Sequence, residues 1–174
     1  MAGKWDSIGS ENNTRFTRRC LVYLMAWCCV SNHGVGKLII MAGTMKSTDY
    51  TDILDQNLLY SVRNMFWDTM IPFIFKYDNA PVHTARNVQS GLDKHDVQVI
   101  QCPDHSTDLH IIENVWSMLQ NSVMRDRPST KLELTQSSFR AWGVITPDYL
   151  HKLYSSMPRR ARYVIPSRDY PTKY

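Results

Sequence analysis

The chain has 174 residues, 43% of them hydrophobic and 21% charged, with a net charge of +4. That length and composition fit one soluble globular domain with a sizeable core. No apolar run reaches the roughly 18 residues of a membrane-spanning helix. The first residues, Met1 to Asp6, have no apolar signal-peptide segment. Cys20, Cys28, Cys29 and Cys102 have neither metal-finger spacing nor the density of a disulfide framework, so reduced, mostly buried thiols are expected.

Residues 1–19 are polar and irregular and read as a loose N-terminal tail ahead of one domain over 20–174. Cys20 to Val30 is apolar almost throughout and fits a strand buried on both faces. Asn32-His33-Gly34 signals a turn, and Val35 to Met41 a second strand, so the two form a hairpin. Ser47 or Thr48 is placed to cap a helix, with Asp49 and Asp52 in its first turn. Tyr50, Ile53, Leu54 and Leu58 give it one apolar face, and the helix is expected to end near Asn64. Pro72 would start the next element. Phe73 to Tyr77 is a short buried strand that ends on Asp78.

Pro81 suits the first turn of a following helix, whose face is marked by Ala85, Val88 and Leu92 up to about Lys94. Val97 to Gln101 is a fourth strand, and 103–110 a polar loop. Ile112, Val115, Trp116, Leu119 and Val123 repeat at helical spacing, which puts Glu113 in the first turn and off the buried stripe. Pro128 ends this helix. Further helices are expected over Lys131–Trp142 and over Pro147–Arg160. Hairpin, helix, strand, helix, strand, helix is an α/β or α+β pattern.

The chemistry lies in two acids. Asp78 stands at the C-terminal end of a strand, where ligands meet open α/β sheets. Glu113 stands 35 positions later at a helix start. Two carboxylates so delivered can share hard divalent cations, and two such ions serve phosphodiester chemistry. Either acid also has a plainer reading, Asp78 as a cap for the next helix and Glu113 as a partner of the helix dipole. Charge is uneven: residues 1–124 hold 10 Lys+Arg against 12 Asp+Glu, and residues 125–174 hold 10 against 4. A basic C-terminal third beside an acidic centre suits a polyanionic partner.

The same stretch carries a resemblance. Asp78-Asn79-Ala80-Pro81-x-His83-Thr84-Ala85, then Ser106-x-Asp108-Leu109-x-x-Ile112-Glu113-Asn114-x-Trp116, resembles the catalytic domain of Tc/mariner-type DDE transposases. Gly34-x-Gly36 and Ser47-x-x-Tyr50 before these blocks, and Ser156-Met157-Pro158-Arg159-Arg160 and Pro171-Thr172-Lys173-Tyr174 after them, extend the likeness over about residues 20 to 174. The resemblance implies a ribonuclease-H-like fold and a nuclear DNA-acting enzyme. It also implies Mg²⁺ or Mn²⁺ at a two-metal site, with transposon ends and target DNA as substrates. Asp78 and Glu113 are its metal-binding and catalytic residues. Asn79 and His83 are loop-orienting or phosphate-contacting residues, and with Arg159, Arg160 and Arg162 they are the DNA-binding candidates. Asp108 reads as a cap before it reads as a ligand. Assembly as a homodimer is left open.

The sequence departs from the family at its start. The strand that carries the first of the three family acids has no visible counterpart, since only Asp6 and Glu11 precede Leu21–Val30, without a strand pattern. The family's N-terminal helix-turn-helix region has no match. Thr107, His110 and Ile111 stand where the family has Pro, Asn and Pro. The expectation is therefore a partial domain with an incomplete metal site and little activity. The alternative is a non-catalytic DNA-binding or interaction domain that uses the basic C-terminal face.

Overall fold

The structure, a computed structural model, describes residues 2–5, 24–41, 43–66, 73–78, 80–100 and 109–164. Strand β1 (Ala2–Trp5) pairs antiparallel with β2 (Met25–Ser31), Ala2 opposite Cys29 and Trp5 opposite Ala26. β2 turns at Asn32-His33 into β3 (Gly34–Met41), so the sheet order is β1-β2-β3. The expected tail without a first strand is thus corrected over residues 2–5. Four residues that include Gly3 and Lys4 carry no strand periodicity, and the pairing comes from the backbone of a distant strand. The remainder of the expected tail lies outside the described residues.

β2 is buried on both faces, as its unbroken apolar run predicts. Because successive side chains point to opposite sides, Ala26, Cys28 and Val30 enter one core and Trp27 and Cys29 another. The first core lies under three helices, α4 (Ile112–Asp126), α5 (Lys131–Gly143) and α6 (Pro147–Ser155). The second lies under α1 (Ser47–Ile53), a π-helical turn (Leu54–Leu58), α2 (Leu59–Met65), β4 (Ile74–Lys76), α3 (Arg86–Lys94) and β5 (Gln98–Ile100). β4 and β5 form a separate parallel pair, Phe75 opposite Val99. Each fully buried Leu or Phe, such as Leu119 or Phe75, adds about 1.5–3 kcal/mol by leaving water.

The cap of α1 lies one residue before the expected Ser47. Lys46 occupies the cap position, and its backbone N–H donates to the Asp49 carboxylate at 2.9 Å. α3 begins later than expected, because Pro81, Val82 and His83 form a tight turn closed by the His83 N–H on the Ala80 carbonyl at 2.8 Å. The expected helix over Pro147–Arg160 is two helices. α6 stops at Ser155 and α7 (Met157–Val164) follows, with Pro158 unable to donate a helical hydrogen bond back across the junction. Gly36 permits β3 to meet α2. A Cβ there would sit 2.3 Å from the Cys29 Sγ and 2.7 Å from the Ser61 Cβ. Its carbonyl accepts from the Trp142 Nε1–H at 3.0 Å, which ties α5 to the same strand.

Candidate active site

β4 delivers Asp78 to the protein surface through Tyr77. One carboxylate oxygen, Oδ1, accepts from the Ala80 N–H at 3.0 Å and from His83 Nδ1 at 2.5 Å. His83 is fully buried, 4.4 Å from the Tyr50 ring centroid and edge-on to Tyr77. Since Nδ1 serves Asp78, its Nε2 faces inward, where it has no hydrogen-bond partner among the described residues. Burial raises the Asp78 carboxyl's pKa. The His83 hydrogen bond and charge, the Ala80 amide and His110 outweigh that effect and hold it below the ordinary carboxylate value. Asp78 is therefore an ionised, half-exposed acid fixed in place by a buried ring.

Glu113 is exposed in the first turn of α4. Its place is set by the helix, whose opposite face buries Ile112, Val115, Trp116, Leu119 and Val123. Lys76 links the elements that carry the two acids. Its Nζ donates to the Leu109 carbonyl at 2.6 Å, so the end of β4 is tied to the turn that starts α4. His110 sits in that turn, 3% exposed, with neither ring nitrogen hydrogen-bonded among the described residues. Burial first, and then the Lys76 charge, push its pKa down to about 4, so its ring is neutral near pH 7. On the far side, Glu113 acts electrostatically on Cys28 of β2, whose thiol is pushed well up chiefly by burial.

Asp78 and Glu113 thus flank one seam, at the ends of β4 and of the turn into α4. Among the described residues, no group of three His, Cys, Asp or Glu could hold a metal. Asn79 and Asp108 lie outside the described residues, as do Asp6 and Glu11. Of the expected DNA contacts, Arg160 is corrected, and His83 takes the loop-orienting one of its two expected roles. His83 is sealed behind Asp78 and serves that acid instead of a ligand in solvent. Arg160 is 6% exposed, donating from Nη1 to the Asn114 Oδ1 at 2.7 Å and from Nε to the Ser156 Oγ at 2.8 Å. It pins α7 to α4. Arg159 and Arg162 remain exposed on α7. Sequence reasoning missed the bridging role of Lys76 and the burial of His110. A cation two residues before Asp78 in an otherwise apolar strand shares that acid's side of the strand, and this was the signal for Lys76.

The donor set suits a hard divalent cation. Both acids offer carboxylate oxygen, and Asp78 is held ionised with Oδ1 engaged and its outer side exposed to solvent.

Comparison with known proteins gives the family and the fold. The DDE superfamily endonuclease family matches residues 4–135. The Tcb1 transposase of Caenorhabditis briggsae is 32% identical over 151 residues, which is 87% of this chain and 54% of that protein. The Tc1 transposase of Caenorhabditis elegans is 30% identical over 152 residues, with the same coverage. The chain therefore spans about half the length of these curated relatives. In structure it is similar to the Mos1 transposase catalytic domain solved with raltegravir and Mg. The TM-score is 0.80 at 17% identity, covering 99% of this chain and 85% of that one. The fold is accordingly ribonuclease-H-like.

Proposed function

The chain belongs to the DDE superfamily endonucleases, in the Tc/mariner transposase group, and from that premise we propose that it is the core of a metal-dependent DNA strand-cleaving and strand-transferring enzyme. The observation that carries this reading is Asp78, an acid kept ionised by a buried histidine at a strand end and tied through Lys76 to the turn that presents Glu113.

In this reading Asp78 and Glu113 hold Mg²⁺ or Mn²⁺. Such ions, when bound, activate a water and stabilise the departing oxygen of a phosphodiester. The residues of the chain supply placement. His83 fixes the orientation of the Asp78 carboxylate and, with the Ala80 amide, keeps it charged. α4 fixes Glu113 through its buried face. The third acid is Asp6. It directly follows β1, a strand of the central sheet that packs against the helix carrying Glu113. The pairing of β1 with β2 supports this reading by bringing the chain just before Asp6 onto the sheet. The working compartment is the nucleus, and the substrate is duplex DNA.

The test is nicking of labelled duplex DNA in Mn²⁺ by the chain and by Asp78→Asn, Glu113→Gln and Asp6→Asn. Nicking by the parent that each substitution abolishes is the expected result. Folded protein that never nicks removes the catalytic reading. Activity that survives Asp6→Asn alone removes Asp6 from the site.

A further inference from the structure

The outer face of α5 is apolar where a surface helix is ordinarily polar. Leu132, Gln136, Phe139 and Gly143 recur at spacings of four, three and four, so they form one stripe along the helix. Leu132 is 67% exposed and Phe139 49%, and Val144, just past the helix, is 69% exposed. The opposite face, with Leu134, Ser138, Ala141 and Trp142, is buried towards α4 and β3. Packing within the chain therefore makes no use of the outer stripe. Gly143 marks a hollow in it, since a Cβ there would meet nothing within 4 Å.

We propose that this stripe is a contact between two copies of the chain, which pack their α5 helices antiparallel about a two-fold axis. The inference does not depend on the endonuclease reading. Three observations select a second copy as the occupant. First, the stripe is complementary to its own reverse. Antiparallel pairing that sets Leu132 opposite Gly143 of the second copy also sets Gln136 opposite Phe139, because both pairs share one midpoint on the helix. A leucine then fills the hollow at a glycine, and the two-fold axis repeats the contact. Parallel pairing would set Gly143 against Gly143 and leave the hollow empty. Second, Glu133 and Arg140 stand seven residues apart on one flank of the stripe. Like flanks meet in an antiparallel pair, so Glu133 of each copy faces Arg140 of the other, about 3 Å out of level. Within the chain Glu133 accepts through Oε2 and Arg140 donates through Nη2, which leaves each a further oxygen or nitrogen to offer. Third, that flank carries one charge of each sign. It matches the same pair reversed and gives no net attraction to a polyanion or a polycation. Three turns of helix bury less than the roughly 800 Å² per partner of a standard interface, so the dimer is weak, with a Kd on the order of 10–100 µM.

The experiment is sedimentation velocity of the chain from about 5 to about 200 µM, where mass action moves a weak dimer from mostly monomer to mostly dimer. The variants are Phe139→Glu and Gly143→Lys, with Lys94→Ala on α3 as a control. Phe139→Glu is expected to weaken association about tenfold or more. Gly143→Lys is expected to do the same by filling the hollow. It keeps or raises the stability of the monomer, since glycine is a poor helix former and a cation suits a helix C-terminus. Lys94→Ala leaves association unchanged. Urea melts at low concentration establish that the variants fold. Mild oxidation of Gln136→Cys gives a disulfide-linked dimer, and that of Lys94→Cys does not. A folded parent that stays monomeric over the whole range overturns the proposal. A dimer that Phe139→Glu and Gly143→Lys leave intact overturns it as well, since the copies then meet elsewhere. A monomeric parent that floats with phosphatidylcholine vesicles, and loses this in Phe139→Glu, overturns it in favour of a lipid surface. None of these outcomes touches the endonuclease reading.

Discussion

Asp78 stands two residues past a three-residue strand and has its carboxylate bound by a buried histidine and a backbone amide, whereas Glu113 stands exposed at the head of a fifteen-residue helix. The contrast follows from the elements. A strand as short as β4 has few backbone bonds to fix its end, so side chains packed behind it, His83, Tyr50 and Tyr77, do the fixing. A helix with five buried residues on one face needs no such help, since its axis and rotation already aim Glu113. The first strategy places in the core polar atoms, at His83 and His110, that have no hydrogen-bond partner among the described residues. The second leaves the acid itself on the exposed side of the helix.

This comparison is broken most sharply by acid. His110 has a folded pKa of about 4 against an ordinary 6.5, so the unfolded chain takes up the proton more readily. Its neutral burial contributes no penalty above pH 6.5, and stability falls as pH drops from 6.5 towards 4. The loss across that interval is about 3 kcal/mol. The charged or titratable groups around it are Lys76, Asp78 and His83. Asp78, with its lowered pKa, adds a loss in the same direction at lower pH still. Urea melts from pH 7.5 down to pH 4.5 will show this slope, and His110→Asn will flatten it. Hydrogen exchange at the acid end should open β4 and α3 before α4 and α5. The reverse order would mean that the Asp78 side is not the weaker one.

His83→Ala sharpens the comparison at the metal. It removes the group that orients Asp78, and divalent-ion affinity measured by calorimetry is expected to fall about 10- to 100-fold. Asn114→Ala beside Glu113 should instead leave ion affinity within about threefold of the parent, since Glu113 is placed by backbone. Its effect is on stability. Arg160 loses one of its two named partners inside the protein, which costs about 1.5 kcal/mol in denaturant melts. Equal losses of ion affinity in the two variants would erase the distinction between the acids. The smallest effect is expected from Trp142→Phe. It keeps the packing against the first core and removes the bond to the Gly36 carbonyl, a loss of about 1 kcal/mol with ion affinity unchanged.

Much of the site was legible because it is local. The apolar run before Asp78 ends a strand, and the 3–4 spacing from Ile112 to Val123 rotates Glu113 outwards. Both follow from periodicities that operate within a few residues. The hairpin, the double burial of β2 and the ends of α4 and α5 belong to the same class. The fate of His83, Arg159, Arg160 and Arg162 was not legible in that way. A motif says that a histidine follows an acid by five positions, but not that the ring is sealed beneath Tyr50.

The sequence alone determined the α/β plan, the two acids and the family, because each is written in short-range pattern or in motif spacing. Only the tertiary structure decided that residues 2–5 form a strand, that Arg160 is an internal pin and that Lys76 joins β4 to α4. The physical reason is separation along the chain. Trp5 pairs with Ala26, Lys76 reaches Leu109 33 positions away, and Arg160 reaches Asn114 across 46. Contacts of that range arise from packing whole elements together, and no window on the sequence contains both partners.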